Sequence, residues 1–502
     1  MPILRSVRLL LGLVLLLLSP ALLYGQGGGL VTVTAESFSQ STRNGQPVQH
    51  LSGNVRFSQG SLYGQADEAF QFVGENRLEL RGNVIIRQDT LELRAPRVDY
   101  DGNTRIGHAE GGVRLTDRDN VLTASEGDYD MNSQIAIFHQ NVRIAQGPTI
   151  ITSNDLTYFR ATQTSIAKGK VQVKSDTGML RADQVTHVRT LGEMTAVGNV
   201  ELTSDSLDMT SDWMYNSDPQ DLMFARGKVV VVAKANGTII SGDTLARFGK
   251  RNYIHVPVHP LLRIADSSVS VDPITGRDLV TYDTTFVRSG EMEIFQGDSA
   301  RFVATDSVRM IRATFSATGG KMIYEQKTEL IRLFAADRQR MWYDSTEIVG
   351  DSIAIHMKNN RVQRAFAFGR AFTTSPIEIA VTNPNDERMH QLQGESMTLR
   401  VERDTVQDML VANNALSMYF LVNQNKLDGV NRASGDSIRL DFAGRAVKRV
   451  VVIAGTEGEY FPEAFVRGRG RAFRLNAYTR EYANRPRRPE FFNRWEIAQT
   501  RP

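Results

Sequence analysis

Few residues in this chain have the types and spacing that chemistry needs. His255 and His259 are four apart, a spacing that on a helix would offer two imidazoles to one metal ion. Pro257 and Pro260 accompany them, and proline removes a backbone donor and blocks a helical turn. The pair therefore reads as two unrelated loop residues. Asp298, Asp351 and Asp436 each stand in Gly-Asp-Ser, and Glu395 stands in Gly-Glu-Ser. A carboxylate beside a hydroxyl could act as a nucleophile or bind calcium, but its recurrence predicts side-chain capping of turns. Tyr100, Tyr129 and Tyr158 recur every 29 residues. They could line a sugar-binding ladder, although packing across strands accounts for them more simply. The chain has no Cys, which removes disulfides, thiolate-bound metals and a cysteine nucleophile. It also has no P-loop, no Gly-x-Ser-x-Gly elbow and no His-Glu-x-x-His. The sequence predicts a protein that is not an enzyme, with no catalytic residue, no cofactor and no metal.

The elements that carry these residues follow a strict period. Gly53-Asn54-Val55 recurs as Gly82-Asn83-Val84, Gly111-Gly112-Val113, Gln140-Asn141-Val142, Gly169-Lys170-Val171, Gly198-Asn199-Val200 and Gly227-Lys228-Val229, each 29 residues after the last. Apolar residues alternate after each glycine, giving Val55 and Phe57, Val84 and Ile86, Val113 and Leu115, Val142 and Ile144, Val171 and Val173, Val200 and Leu202. Period two with β-branched residues predicts strands with one apolar face. Alternation also precedes the glycine, as in Leu78 and Leu80, so the Gly-Asn pair marks a bulge or bend inside a long strand. Turn residues close each unit at Gly74-Glu75-Asn76, Asp101-Gly102-Asn103 and Asn132-Ser133. Each unit is then two bent strands that cannot bury an apolar face alone, so units must stack. At roughly 4.8 Å per strand, seven units predict an elongated body about 70 Å long. The fold class is all-β and antiparallel. In a closed body the apolar stripe is an ordinary core; in an open trough the same side chains are a lipid-binding surface.

After Phe248 the period breaks. Residues 249–290 carry Pro257, Pro260 and Pro273 and read as a connector or irregular cap. A second β segment over 291–466 follows, with hairpins such as Ile353–Met357 against Val362–Phe368. Residues 467–502 hold ten Arg and three Glu, a balance of +7, and read as a mobile tail. The total is only +3, so the body is mildly acidic, and a dedicated nucleic-acid partner is not expected. Arg5 and Arg8 precede the apolar run Leu9–Leu18, too short for a membrane span, and small residues follow near Gly25. Residues 1–26 therefore read as a signal peptide, with export to the periplasm and association with the inner or outer membrane left open.

These features resemble the OstA-like family, which includes the periplasmic lipopolysaccharide-transport protein LptA and the N-terminal domain of the translocon LptD. The resemblance covers about 32–248 and is carried by Gly82-Asn83-Val84, Leu93 to Tyr100, Leu122 to Tyr129 and Gly198-Asn199-Val200. The segment Gly429–Asp436 is similar to long members from Bacteroidetes-type bacteria. The resemblance implies a β-jellyroll of V-shaped cross-section whose interior shields lipid A acyl chains. It further implies lipopolysaccharide as ligand, head-to-tail self-association, and an inner-membrane export complex and outer-membrane translocon as partners, in outer-membrane biogenesis. The competing expectation is a β-solenoid surface scaffold or carbohydrate-binding protein without lipid cargo.

Overall fold

The computed structural model describes residues 30–492 apart from 44, 119, 272–277, 359–360, 378–387, 403, 425 and 445. The expected signal peptide lies outside the described residues. The described chain is almost wholly antiparallel β, with 32 strands against one four-residue α-helix, Glu463–Val466, and short 3-10 turns. It divides into two compact units, 1–135 and 136–502, a boundary that falls inside the repeat array and not at 248.

In the first unit each long strand pairs with the next, from Gln46–Gln59 to Asn120–Asp130. The arithmetic of the 29-residue unit is visible in one example. Arg77–Gln88 supplies twelve residues and Leu91–Asp101 eleven, and the remainder are turns. Asp101 Oδ1 accepts the backbone N–H of Asn103 at 2.8 Å and of Thr104 at 3.3 Å, and Asp130 does the same for Asn132 and Ser133. A short acceptor satisfying two turn amides explains why Asp recurs at these positions.

The Gly-Asn pairs are bulges. Arg81 pairs with Arg97 and Val84 with Ala95, so Gly82 and Asn83 together oppose Pro96. Both bulge residues take left-handed backbone, with φ of 73° at Gly82 and 43° at Asn83. Glycine is required at the first position for a second reason: a Cβ on Gly82 would lie 2.4 Å from Asp67 Oδ2. Asn83 Nδ2 donates to the same oxygen at 2.8 Å. Pro96 fits opposite because a bulge leaves a ladder position without need of its N–H. All seven repeats show the same pair of positive φ values, so each of these strands bends at its bulge.

The second unit keeps this rhythm to Ile239–Phe248 and then bends by another device. One strand faces two in succession, at least one of them short. Ile239–Phe248 pairs with both Tyr253–Val258 and Leu261–Val271. Phe315–Glu325 pairs with Leu330–Phe334 and Gln339–Tyr343, and Arg361–Pro376 with Ser352–Lys358 and Thr346–Gly350. The stretch 249–290 is therefore not an irregular connector. It supplies the short strand Tyr253–Val258 and the hairpin Leu261–Val271 with Asp278–Arg288 to the same ladder.

The Gly-Asp-Ser triplets also differ from expectation. Only Asp298 sits in a turn. Asp351 lies at a bend, its N–H donating to the carbonyls of Phe368 and Gly369 at 2.9 and 3.0 Å. Its carboxylate accepts Arg370 Nε at 2.9 Å, and Gly369 and Arg370 form the left-handed bulge opposite. Asp436 faces the bulge at Asn413 and Asn414 and donates its N–H to Ala454 O at 3.0 Å. The Asp351 carboxylate thus holds a bend, as Asp67 does in the first unit.

Up to residue 492 the tail packs against the β strands. Val466, Phe473 and Leu475 are buried in a cluster with Phe372, Met418, Phe420 and Val430. Further along, Arg340 bridges Glu347, at 2 % side-chain exposure, and Glu481. Phe491 is fully buried against Leu261 and Phe286. The segment 463–492 thus runs as a strap across the strands, one after another, from Val430 back to Leu261.

Candidate functional site

The predicted stripe is buried as a row of inward side chains. In the first unit Val55, Phe57, Val84, Ile86, Val113 and Leu115 are all at or below 3 % exposure. In the second, Val142, Ile144, Val171, Val173 and Val200 are buried, while Leu202 is partly exposed. Cross-strand neighbours continue the stripe, pairing Ile86 with Leu93, Leu115 with Leu122 and Val173 with Leu180. Each such burial contributes roughly 1.5–3 kcal/mol.

The middle of the first unit's stripe is filled by its own side chains, while a more open, mainly polar cavity of about 310 Å³ reaches Phe57. The free space among Leu62, Ile86, Leu93, Val98, Tyr129 and Met131 is about 10 Å³, enough for a single water-sized sphere. Aromatic rings account for this. Tyr100 is fully buried and donates its hydroxyl to Gln59 Oε1, and Phe57 lies 6.3 Å from it, centroid to centroid. Tyr129 and Tyr158 are buried too, so the periodic tyrosines are interior packing and not a solvent-facing ladder.

Open interior occurs where the strands shorten. A cavity of about 540 Å³ lies in the second unit, lined by apolar side chains that include Ile240, Leu262, Ile264, Val287, Ile294, Phe302, Met310 and Met322. Its size falls in the usual range for a ligand cavity. Polar side chains interrupt this lining: Asn236, Thr238, Thr285, Gln296, Arg301, Arg312, Tyr324 and Gln326. Arg312 is held by Asp283, Nε to Oδ2 at 2.8 Å. Arg301 is exposed, with its guanidinium 4.5 Å from the centre of the Phe295 ring. The site is therefore an apolar chamber with a cationic residue at its margin, an arrangement suited to an anionic amphiphile. Sequence reasoning placed the candidate residues at 55–202 and missed this chamber. The available signal was the loss of the 29-residue period after Phe248, which marks where the arms are no longer filled repeat by repeat.

The residues that could do chemistry are dispersed. His255 Nε2 meets Glu291 Oε1 at 2.6 Å, and His259 Nδ1 meets Asp243 Oδ2 at 2.7 Å, so the two imidazoles serve different carboxylates. No group of three or more metal-ligating side chains occurs among the described residues. His390 is enclosed instead. Its Nδ1 accepts the N–H of Phe420 at 3.2 Å, and burial pulls its pKa down to about 4. It is a neutral structural acceptor.

Residues 30–183 match the family described as OstA-like protein. No curated protein matches the chain. Among solved structures the chain is similar to LptH from Pseudomonas aeruginosa, described as the LptA-homologous periplasmic component of the lipopolysaccharide transport device. The identity is 19 % over 26 % of this chain and 82 % of that one, with a TM-score of 0.21.

Proposed function

We propose that this chain is a non-enzymatic periplasmic carrier that moves lipopolysaccharide between inner and outer membranes by burying lipid A acyl chains between its β arms. The observation that carries this reading is the 540 Å³ chamber of the second unit, whose lining is mainly apolar. An acyl chain of about a dozen methylenes gains roughly 10 kcal/mol on leaving water, at about 0.8 kcal/mol per CH₂. Such burial is non-directional, so cargo can slide without a catalytic step or a cofactor. Phosphates on the sugar headgroup remain at the margin, where Arg301 is exposed.

Sheet edges supply the means of assembly. Ser37–Arg43 pairs with Gln46–Gln59 and is exposed throughout, and Ala446–Ile453 pairs with Lys426–Ala443. Open edges of this kind accept a strand from a second copy, or from the inner-membrane export complex and outer-membrane translocon. No helix among the described residues is long and apolar enough to cross a membrane. Depleting the protein in its own cells should leave newly made lipopolysaccharide in the inner membrane. Undiminished delivery to the cell surface would reject the proposal.

A further inference from the structure

The strap 463–492 holds eight Arg and three Glu. All three carboxylates turn inward onto arginines of the β body: Glu463 to Arg388 at 2.9 Å, Glu481 to Arg340 at 2.8 Å and Glu490 to Arg309 at 2.7 Å. These pairs anchor the strap, and Glu463 also reaches Arg467 of the strap itself at 3.7 Å; with eight Arg against three Glu the segment carries a balance of +5. Six of its arginines, 467, 469, 471, 480, 487 and 488, are exposed. Exposed aromatics accompany them: Phe465 at 49 %, Tyr482 at 40 % and Phe492 at 40 %.

The layout decides what such charges fit. The strap crosses about ten strands between Val430 and Leu261, roughly 45 Å at the usual interstrand spacing. A row of that length is too spread out to converge on a single small anion. It matches a plane of many phosphates, each within a Debye length of an arginine. Aromatic side chains with one wet and one apolar end suit the headgroup level of a bilayer. The mildly acidic body disfavours a nucleic-acid polymer, which would wrap beyond the strap.

We propose that the strap is a membrane-docking surface which holds the protein against a bilayer rich in anionic phospholipid. The strand faces under the strap and the chamber are opposite sides of one wall. Phe286 and Ile311 pack outward against the strap end, while their neighbours Val287 and Met310 line the chamber. Docking through the strap therefore places the chamber's outer wall next to the bilayer.

The test is co-sedimentation of the purified chain with vesicles of phosphatidylglycerol and with vesicles of phosphatidylcholine, at 50 and 300 mM salt. The readout is the difference between the two lipids, which cancels any contribution of the N-terminal apolar run. The chain should favour phosphatidylglycerol, and salt should weaken that preference. Replacing Arg469, Arg480, Arg487 and Arg488 together by Gln should lower partitioning on the order of a hundredfold to a thousandfold. Replacing the same four by Lys should restore most of it. Unchanged proteolytic protection of the strap in both variants shows that it stays docked on the β body. Equal binding to the two lipids, undiminished binding by the Gln variant, or tighter binding to a single-stranded oligonucleotide than to phosphatidylglycerol would each overturn the proposal. None of these readouts depends on lipopolysaccharide, so the result separates this inference from the transport reading.

Discussion

Phe491 offers a sharp test of whether the C-terminal segment is part of the fold. Its ring is fully buried against Leu261 and Phe286. Truncating a buried phenylalanine to alanine costs about 3–5 kcal/mol. The adjoining Glu490–Arg309 pair is about one-third exposed on each side and contributes well under 1 kcal/mol, so it cannot hold the strap end alone. Phe491→Ala should therefore raise local opening of residues 484–492 by two orders of magnitude or more, at about 1.4 kcal/mol per decade. Hydrogen exchange reads this directly. The amides of Arg485 and Glu490, which donate to Tyr482 O and Arg487 O, should lose their protection. The amide of Leu475 donates to Gln391 Oε1 at 2.8 Å beside a separate anchor cluster and should keep its protection. Phe491→Leu should fall between the two. Unchanged exchange at Arg485 and Glu490 in the alanine variant would refute the reasoning, and simultaneous release at Leu475 would refute the division into two anchors.

Three further perturbations discriminate between parts of the account. His390 is neutral when folded and has a pKa of about 4, against 6.5 when unfolded, so below pH 6.5 the unfolded chain binds a proton that the folded chain refuses. Its contribution is whole above pH 6.5 and is lost as pH falls toward 4, by about 3 kcal/mol. His390→Gln should flatten that part of the denaturation midpoint against pH. Gly82→Ala should destabilise the first unit by about 1–3 kcal/mol in urea melts, because it combines a left-handed φ with a clash on Asp67. Ala95→Val, on the facing strand and free of that backbone demand, should cost less. Ile264→Trp with Ile294→Trp should fill the chamber and reduce binding of fluorescent lipid A at least tenfold while leaving the melting temperature within a few degrees.

What the sequence made legible was whatever a backbone constraint forced to repeat. A bulge needs left-handed φ at two residues, so Gly82-Asn83 and its six counterparts recur as a pattern. Alternation likewise announced the inward faces of Val55 to Val200, because a strand cannot hide its period. The chamber left no such mark, since it arises from what is absent: short strands such as Tyr253–Val258 and Glu291–Phe295 stop short of filling the interior. The prolines of 249–290 misled for a related reason. Pro257 sits near the end of a short strand, a place proline tolerates, so its presence did not signal irregular chain. The tail's arginines dominate its composition, while two buried anchors, Phe473 with Leu475 and then Phe491, mark where it packs on the strands. Asp351 and Asp436 share a triplet with Asp298 but not its setting, since Asp351 stands at a bend and Asp436 within a strand.

The central claim, that acyl chains occupy the interior between the β arms, is tested most directly by photocrosslinking in living cells. A photoreactive side chain at Ile240, Leu262 or Met310, inside the chamber, should capture lipopolysaccharide. One at Arg309, on the opposite face of the same strand as Met310, should not. Capture at Phe57, Ile86 or Ile144 should be weaker than in the chamber, because those positions are already filled by neighbouring side chains. Capture at Arg309 alone, or at none of these positions, would contradict the account.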